Sequence, residues 1–323
     1  MIKLQRIILT KGPIGALLKK TKHLHLPGFA GIPLYDVLKF FYRQVKTHGL
    51  QERASAVSYN FIMAIPPSLL FLFTLIPHLP FISNQSIKQQ LHTFIYDIIP
   101  AKTYNAELIK LVDNFMDNTQ FGLLSIGLML SLFFSSNAMM GLMRSFNKKR
   151  KTGFQRRLGI HQRWIAIKLI VIIFGLLIAY LLLLISQGAI LKWLVKSEFW
   201  INVIAYTRWI LIILLIYFII GFIYRHAPAV HKRWKFNTPG TILATFLSML
   251  STLGFSLYFD NFGKFNAVYG SIGSIMLVMV IIYVNSLSLL IGFELNVSIH
   301  SLKAIAENRE ERESAEAANP SHS

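Results

Sequence analysis

The residues best placed to do chemistry are carboxylates inside long apolar runs of the chain, where a charged group is costly. Asp260 stands at the end of one such run, and Glu294 stands near the end of the last one. Glu294 admits two interpretations, because a carboxylate at that depth can pair with an Arg or Lys of a basic loop or can bind a coupling ion or proton.

Small residues, most of them polar, recur at steps of three or four in three of the apolar runs, so the members of each set share one helix face. The spacing is compatible with close helix packing and with a polar pathway or cavity. The three stripes are Thr241, Thr245, Ser248, Thr252 and Ser256 before Asp260; Asn285, Ser288, Gly292 and Asn296; and Gly127, Ser131 and Ser135.

The first apolar run contains two adjacent prolines in its middle, Pro66 and Pro67. Prolines free backbone carbonyls and kink or break a helix, and broken helices often line binding sites in membrane proteins. A plain structural kink is the alternative interpretation. Together with the stripes, this predicts a cavity or pathway lined by the first, fifth and sixth runs. Its candidate residues are Tyr59, Asn60, Pro66, Pro67, Thr252, Ser256, Asp260, Asn285, Ser288 and Glu294.

The sequence contains few motifs that are suited to catalysis. The sequence has no phosphate-binding loop of the Walker type and no HExxH motif. It has no cysteine, which excludes disulfides and thiolate metal ligands. A convergent set of carboxylates or a nucleophile with a histidine base cannot be assembled from the pattern. We therefore predict no catalytic, metal or cofactor site and no enzyme activity.

The elements that carry these residues are predicted to be membrane-spanning helices. A bilayer core requires about 20 mostly apolar residues in a helix, and a backbone in lipid must satisfy its own hydrogen bonds. Six runs meet that length, namely 54–79, 121–143, 164–191, 201–224, 239–259 and 269–296. The predicted fold class is an all-α integral membrane protein with six transmembrane helices.

The net charge of +19 is distributed unevenly along the chain. Lys and Arg are concentrated in segments 1–53, 144–163 and 225–238, whereas the alternate loops contain few. This is the positive-inside pattern. It predicts that both termini are cytoplasmic and that segment 80–120 lies outside. We expect the basic segments to contact anionic lipid headgroups rather than nucleic acid.

Three flanking segments complete the predicted organisation around a membrane domain at 54–296. Segment 1–53 is basic and contains an interfacial amphipathic helix, whose apolar face is Leu34, Val37, Leu38, Phe41 and Val45. Segment 80–120 is predicted to be an outer helical hairpin divided at Pro100, which could cap a cavity, dock an envelope protein or simply cover the bundle. Segment 297–323 is a charged tail in which the last helix is expected to fray into partial disorder.

Several short motifs follow one another in a specific order and spacing. They are Arg53-Ala54-Ser55-Ala56-Val57-Ser58-Tyr59 with Pro66, Ser145-Phe146-Asn147, Tyr224-Arg225-His226-Ala227-Pro228, Thr238-Pro239-Gly240, Phe255-Ser256-Leu257-Tyr258-Phe259, Asn266-Ala267-Val268-Tyr269-Gly270-Ser271-Ile272-Gly273 and Leu290-Ile291-Gly292-Phe293-Glu294-Leu295-Asn296. This set resembles the YihY/BrkB family of bacterial inner-membrane proteins over residues 35–300. A tryptophan that many members have in the sixth span is replaced here by Ile281-Ile282-Tyr283.

The resemblance implies six spans with cytoplasmic termini in the inner membrane, and it brings no established catalytic residues. The family's former label, ribonuclease BN, is regarded as mistaken, and some members are linked to serum resistance and envelope lipid handling. Our leading hypothesis is transport or organisation of an envelope lipid or other amphiphile, and it is motivated by the prolines in the first span, the polar stripes and the basic interfacial segments. The alternatives are a scaffold that docks an envelope partner through the outer hairpin and an ion-coupled carrier of small solutes. The oligomeric state, substrate and energy source do not follow from the sequence.

Overall fold

The structure of the chain is a computed structural model. It describes residues 28–29, 31–47, 49–75, 121–147, 159–194, 198–230, 233–260 and 263–318, together with six single residues between 89 and 114. Within the helices, the side chains of 181–209, 258–274 and 315–318 and of a few single positions lie outside the description.

The longer regular elements of the described chain are all helices, as the predicted fold class requires. The predicted spans one to six correspond to α2 to α7, and α1 precedes them. The bounds are α1 Leu34–Thr47, α2 Leu50–Leu75, α3 Phe121–Asn147, α4 Gly159–Leu194, α5 Glu198–His226, α6 Pro239–Asp260 and α7 Gly263–Ala318.

Five of these helices contain a described stretch that is long and apolar enough to cross a bilayer. The sixth, α5, is apolar over Ile210–His226, which is shorter because the side chains before it lie outside the description. A membrane protein with several spanning helices is thus confirmed, whereas the count of six spans stays a prediction. The five stretches are Leu50–Leu72, Leu124–Asn147, Gly159–Tyr180, Pro239–Leu257 and Ile275–Glu311.

Each of α2 to α7 packs against its neighbour in the chain, and α7 returns to α2. The end of the bundle that carries the basic segments, with Arg53, Arg144, Arg225 and Arg233, is called here the basic end. The opposite end is called the far end.

Packing is tight at the basic end and loose at the far end. Residues 292–299 of α7 are all buried, and eight consecutive residues cover more than two helical turns. This part of α7 is therefore surrounded on every side. Residues 275–280 of the same helix are exposed except for Leu277. Among the described residues, α7 is therefore enclosed at the basic end and exposed in the far half.

Part of the apolar face of α1 packs against α7, and the location of α1 in the membrane interface stays a prediction. Val37 is fully buried, and Leu34 and Phe41 pack with it against Leu295 and Ile299 of α7. Leu38, which was assigned to the same face, is instead exposed. The sequence period correctly marked an apolar face, but periodicity does not distinguish a protein neighbour from lipid.

The helix α2 runs without interruption through Pro66 and Pro67, so the predicted break of the first span is wrong. Each proline removes one backbone donor, and the remaining hydrogen bonds and the neighbouring helices keep the helix continuous. Helix α7 is also longer than expected. Its 56 residues extend through the charged segment as far as Ala318, a length of about 84 Å at 1.5 Å per residue.

Most of the predicted outer hairpin at 80–120 lies outside the described residues. The described positions there are helical, and His92 Nε2 lies 2.9 Å from Asp113 Oδ1. The two halves of the segment therefore approach each other at this point. The details of the hairpin stay a prediction.

Candidate functional site at the basic end

A buried ion pair joins α2 to α7 at the basic end. Arg53 Nη1 donates to Glu294 Oε1 over 2.6 Å, and the two side chains are 3% and 0% exposed. The partners lie 241 residues apart in sequence, so only the tertiary fold brings them together. Of the two interpretations for Glu294, the structure shows the ion pair with a basic residue.

Arg53 was not among the sequence candidates, although it opens the first resemblance motif. The available signal was its position, since it stands at the start of the first span and Glu294 stands at the same end of the last one. A buried guanidinium needs several acceptors. Among the described residues, Nε and Nη2 of Arg53 have no hydrogen-bond partner. The pair is therefore a costly feature of the core, retained at the point where α7 is fully surrounded.

Four buried aromatic rings pack beside the ion pair and are called here the aromatic cluster: Phe146, Tyr224, Trp234 and Phe293. Phe293, which directly precedes Glu294, stacks on Phe146 with ring centroids 4.0 Å apart. Its ring also packs at a tilt against Trp234, with centroids 5.4 Å apart. The Tyr224 hydroxyl donates to the carbonyl of Leu289 over 2.6 Å. The cluster packs α3, α5 and Trp234 of the segment after α5 against α7. It therefore encloses the basic end.

The start of α6 is held by a hydrogen-bonded cap that includes Asn296 of α7. Proline at the first helical position has no N–H to satisfy. The N–H of Gly240 donates to Asn296 Oδ1 over 2.9 Å, and the N–H of Thr241 donates to Thr238 Oγ1 over 3.3 Å. Asn296 Nδ2 in turn donates to Thr238 Oγ1 over 2.9 Å. The Thr238-Pro239-Gly240 motif is thus an N-cap completed by a neighbouring helix.

Helices α6 and α7 cross in close contact next to this cap. A Cβ atom on Gly240 would collide with the carbonyl oxygen of Gly292, and a Cβ on Gly292 would collide with that of Gly240. It would also approach Ala244 Cβ and the Tyr224 hydroxyl to 2.7 Å. Small residues therefore bring the two backbones together.

The hydroxyl stripe of α6 divides between two environments. Thr241, Thr245 and Ser248 are buried in the basic half, as the packing interpretation expects. Thr252 and Ser256 are exposed in the far half. The side chain of Asp260 lies outside the described residues, and its role stays a prediction.

The polar candidates on α7 and α2 are bonded mainly to their own helices. Asn285 Nδ2 donates to the carbonyl of Ile281 over 3.0 Å, and the Ser288 hydroxyl donates to that of Val284 over 2.9 Å. Asn60 Nδ2 donates to the carbonyl of Ala56 over 2.6 Å. Such local bonds satisfy a polar side chain within a helix without requiring a ligand.

The predicted cavity between the first, fifth and sixth spans stays a prediction, because side chains 258–274 of α6 and α7 lie outside the described residues. The described residues form a groove of about 250 Å³ between α2, α3 and α4, and it is open to the outside. In its wall, the hydroxyls of Ser68 and Ser135 lie 3.3 Å apart. The groove is lined by Phe61, Ala64, Ile65, Ser68, Leu69, Ser135, Ala138 and Ile170.

Three of the α2 candidates flank this groove rather than line it. Tyr59 is 57% exposed, Pro66 is exposed and Pro67 is half-buried. The sequence identified a stretch of α2 that borders the groove but did not indicate α3 and α4 as its neighbours there, since the rotation of one helix against another is a tertiary property. In the described part of the chain, no group of three His, Asp or Glu residues is close enough to hold a metal ion.

These features define a polytopic α-helical membrane protein whose helices converge at one end around a buried ion pair. The chain belongs to the virulence factor BrkB family, which its residues 41–318 match. The resemblance drawn from the sequence motifs is thereby confirmed.

Relatives with similar sequences are named either as a ribonuclease-like protein or as UPF0761 membrane proteins. A protein of Bacillus subtilis (strain 168) named as ribonuclease-like protein YfkH is 26% identical over 274 residues, which is 83% of this chain and 96% of that one. A UPF0761 membrane protein of Tolumonas auensis is 25% identical over 271 residues, 80% of this chain and 84% of that one. A UPF0761 membrane protein of Chromohalobacter salexigens is 26% identical over 265 residues, and the match spans 80% of this chain and 62% of that protein. No solved structure matches the chain.

Proposed function

We propose that this chain moves or organises a phospholipid or similar amphiphile of the bacterial envelope, without enzyme activity. We place it in the inner membrane with the basic end and both termini on the cytoplasmic side. The charge distribution supports this orientation, because Lys and Arg accumulate on cytoplasmic segments.

The observation that carries the proposal is the groove between α2, α3 and α4. Its lining is apolar apart from the Ser68–Ser135 pair, and it opens outward from helices that cross the membrane. The surroundings of a spanning helix at that depth are lipid acyl chains. The occupant that matches both the apolar lining and the location is therefore an acyl chain of a lipid.

The asymmetry of the bundle supports the same function. An amphiphile that crosses a membrane needs a path for its polar end as well as for its chains. Thr252 and Ser256 are exposed polar residues in the far half, and the Thr252 hydroxyl donates to the carbonyl of Ser248 over 2.9 Å. Arg53 and Glu294 close the basic end. In this proposal, passage requires the basic end to open.

The two alternative functions have weaker support. An ion-coupled carrier would use Glu294 as a binding carboxylate, but Glu294 is paired with Arg53 in a fully buried position. A scaffold would use the outer hairpin, which lies mostly outside the described residues. Both remain open predictions.

Filling the groove is expected to exclude lipid from it. Ser68→Leu adds an apolar side chain within the lining, and the test uses vesicles that contain a phospholipid with a photoactivatable acyl chain. We expect labelling of the peptides around 61–69 and 135–138 in the native chain and roughly tenfold less in the variant, the change that about 1.4 kcal/mol of lost affinity produces.

The matched control is Ser251→Leu on α6, where the native hydroxyl donates only to its own helix, to the carbonyl of Leu247 over 2.8 Å. The exposed face of α6 around Ile242 and Leu253 contacts ordinary bilayer lipid and supplies an internal standard. Equal labelling of the groove peptides in native chain and Ser68→Leu, relative to that standard, would contradict the assigned occupant.

A further inference from the structure

The basic end carries three exposed cations from three different elements close to one histidine. Lys168 lies on α4, Arg225 in the last turn of α5 and Arg233 in the segment that follows α5. All three exert an electrostatic effect on His226, and the charges acting on that ring are all positive. These three cations are called here the α4–α5 cation cluster.

The fold holds the three elements together. Helices α4 and α5 pack against each other. The segment after α5 folds back along that helix, because the Phe236 ring packs on Tyr217, Phe218 and Phe222 with centroids 5.4 to 6.0 Å apart. Arg233 is thereby kept beside the end of α5 instead of extending away from the bundle.

The cluster lacks a compensating charge in the described part of the chain. No carboxylate there forms an ion pair with Lys168, Arg225 or Arg233, whereas Arg53, Lys303 and Arg309 each have one. Concentrated like charges destabilise one another unless an anion is present. Binding of an anionic ligand would therefore offset the repulsion among the three cations.

The surface around Lys168 identifies the source of that anion. Trp164, one helical turn before Lys168 on the same face, is 69% exposed, and Val171 just beyond it is 54% exposed. Exposed apolar side chains on a spanning helix face the bilayer, and tryptophan concentrates at the level of the headgroups. A lysine in that position extends its ammonium toward the same level.

We propose that the α4–α5 cation cluster is a binding site for the headgroup of an anionic phospholipid, whose phosphate is held by Lys168, Arg225 and Arg233. The site is distinct from the groove between α2, α3 and α4. It can bind a resident lipid whether or not the protein moves lipid, so its test is independent of the proposed function.

Native mass spectrometry of the purified full-length chain tests the site with cardiolipin, phosphatidylglycerol and phosphatidylcholine as probes. We expect the native chain to retain the two anionic lipids and to lose phosphatidylcholine at low collision energy. Lys168→Gln with Arg233→Gln is expected to weaken retention of the anionic lipids roughly 30-fold, since each cation near a headgroup contributes about fivefold.

The control pair is Lys303→Gln with Arg309→Gln, which changes the net charge equally on the exposed extension of α7. Lys168→Arg should preserve retention, and unchanged thermal unfolding shows that each variant is folded. Retention unaffected by Lys168→Gln with Arg233→Gln would overturn the site. An equal loss in the control pair would also overturn it, because the attraction would then depend on net charge alone.

Discussion

Replacing Glu294 by glutamine is expected to lower the free energy of unfolding by about 3–5 kcal/mol. The side chain is fully buried, and its loss of charge leaves the guanidinium of Arg53 buried without a counter-ion. Glutamine has nearly the same shape, so the loss reports the charge and not a cavity. Thermal unfolding of the purified protein in detergent measures the effect.

Two controls separate the buried pair from a general effect of charge. Glu307→Gln removes a carboxylate from the same helix that lies 3.3 Å from Lys303 and is 59% exposed, and we expect a loss below about 1 kcal/mol. The double change Arg53→Gln with Glu294→Gln should recover part of the stability, because neither charge then stays buried alone. A Glu294→Gln variant as stable as Glu307→Gln would show that the pair does not stabilise the basic end.

Replacing Gly240 by alanine is expected to destabilise the chain by about 1–3 kcal/mol through overpacking. The new methyl group would meet the Gly292 carbonyl oxygen and the side chain of Asn296, so α6 and α7 must separate. Separation also lengthens the hydrogen bond from the Gly240 N–H to Asn296, and loss of a helix cap costs about another 1 kcal/mol. The unfolding midpoint in detergent gives the measurement.

Gly254→Ala provides the matched control on the same helix. A Cβ at Gly254 meets no atom within 4 Å, and alanine is the better helix former by about 1 kcal/mol. We therefore expect this variant to be neutral or slightly more stable than the native chain. If Gly240→Ala behaves like Gly254→Ala, the close crossing of α6 and α7 is not required for stability.

The sequence predicted the helices well and their mutual arrangement poorly. Length and apolarity identified α2, α3, α4, α6 and α7 as spanning helices because the bilayer imposes both properties on each helix separately. The burial of α1 against α7 and the position of the groove depend on which helix faces which. Contacts between segments that are distant in sequence cannot be predicted from the local spacing of residues.

The candidate residues divide in the same way, into those that the local sequence indicates and those that only the fold identifies. The sequence placed Glu294 among them because a carboxylate in an apolar run is costly, but the choice of Arg53 among many cations required the fold. The Thr238-Pro239-Gly240 sequence is a recognisable helix start. Its completion by Asn296, which is separated from Gly240 by 56 residues, could not be predicted from spacing. The prediction drawn from Pro66 and Pro67 overstated the disruption of α2, since two missing donors do not break a helix that its neighbours support.

The most direct test of the proposed function is the movement of labelled phospholipid across vesicles that contain only this protein. We expect movement above that in protein-free vesicles, about tenfold slower with Ser68→Leu if that residue adds about 1.4 kcal/mol to the barrier, and unchanged with Ser251→Leu. Anionic and neutral phospholipids are compared in separate vesicles. Absence of movement for every lipid, from protein that is demonstrably folded, would contradict the account.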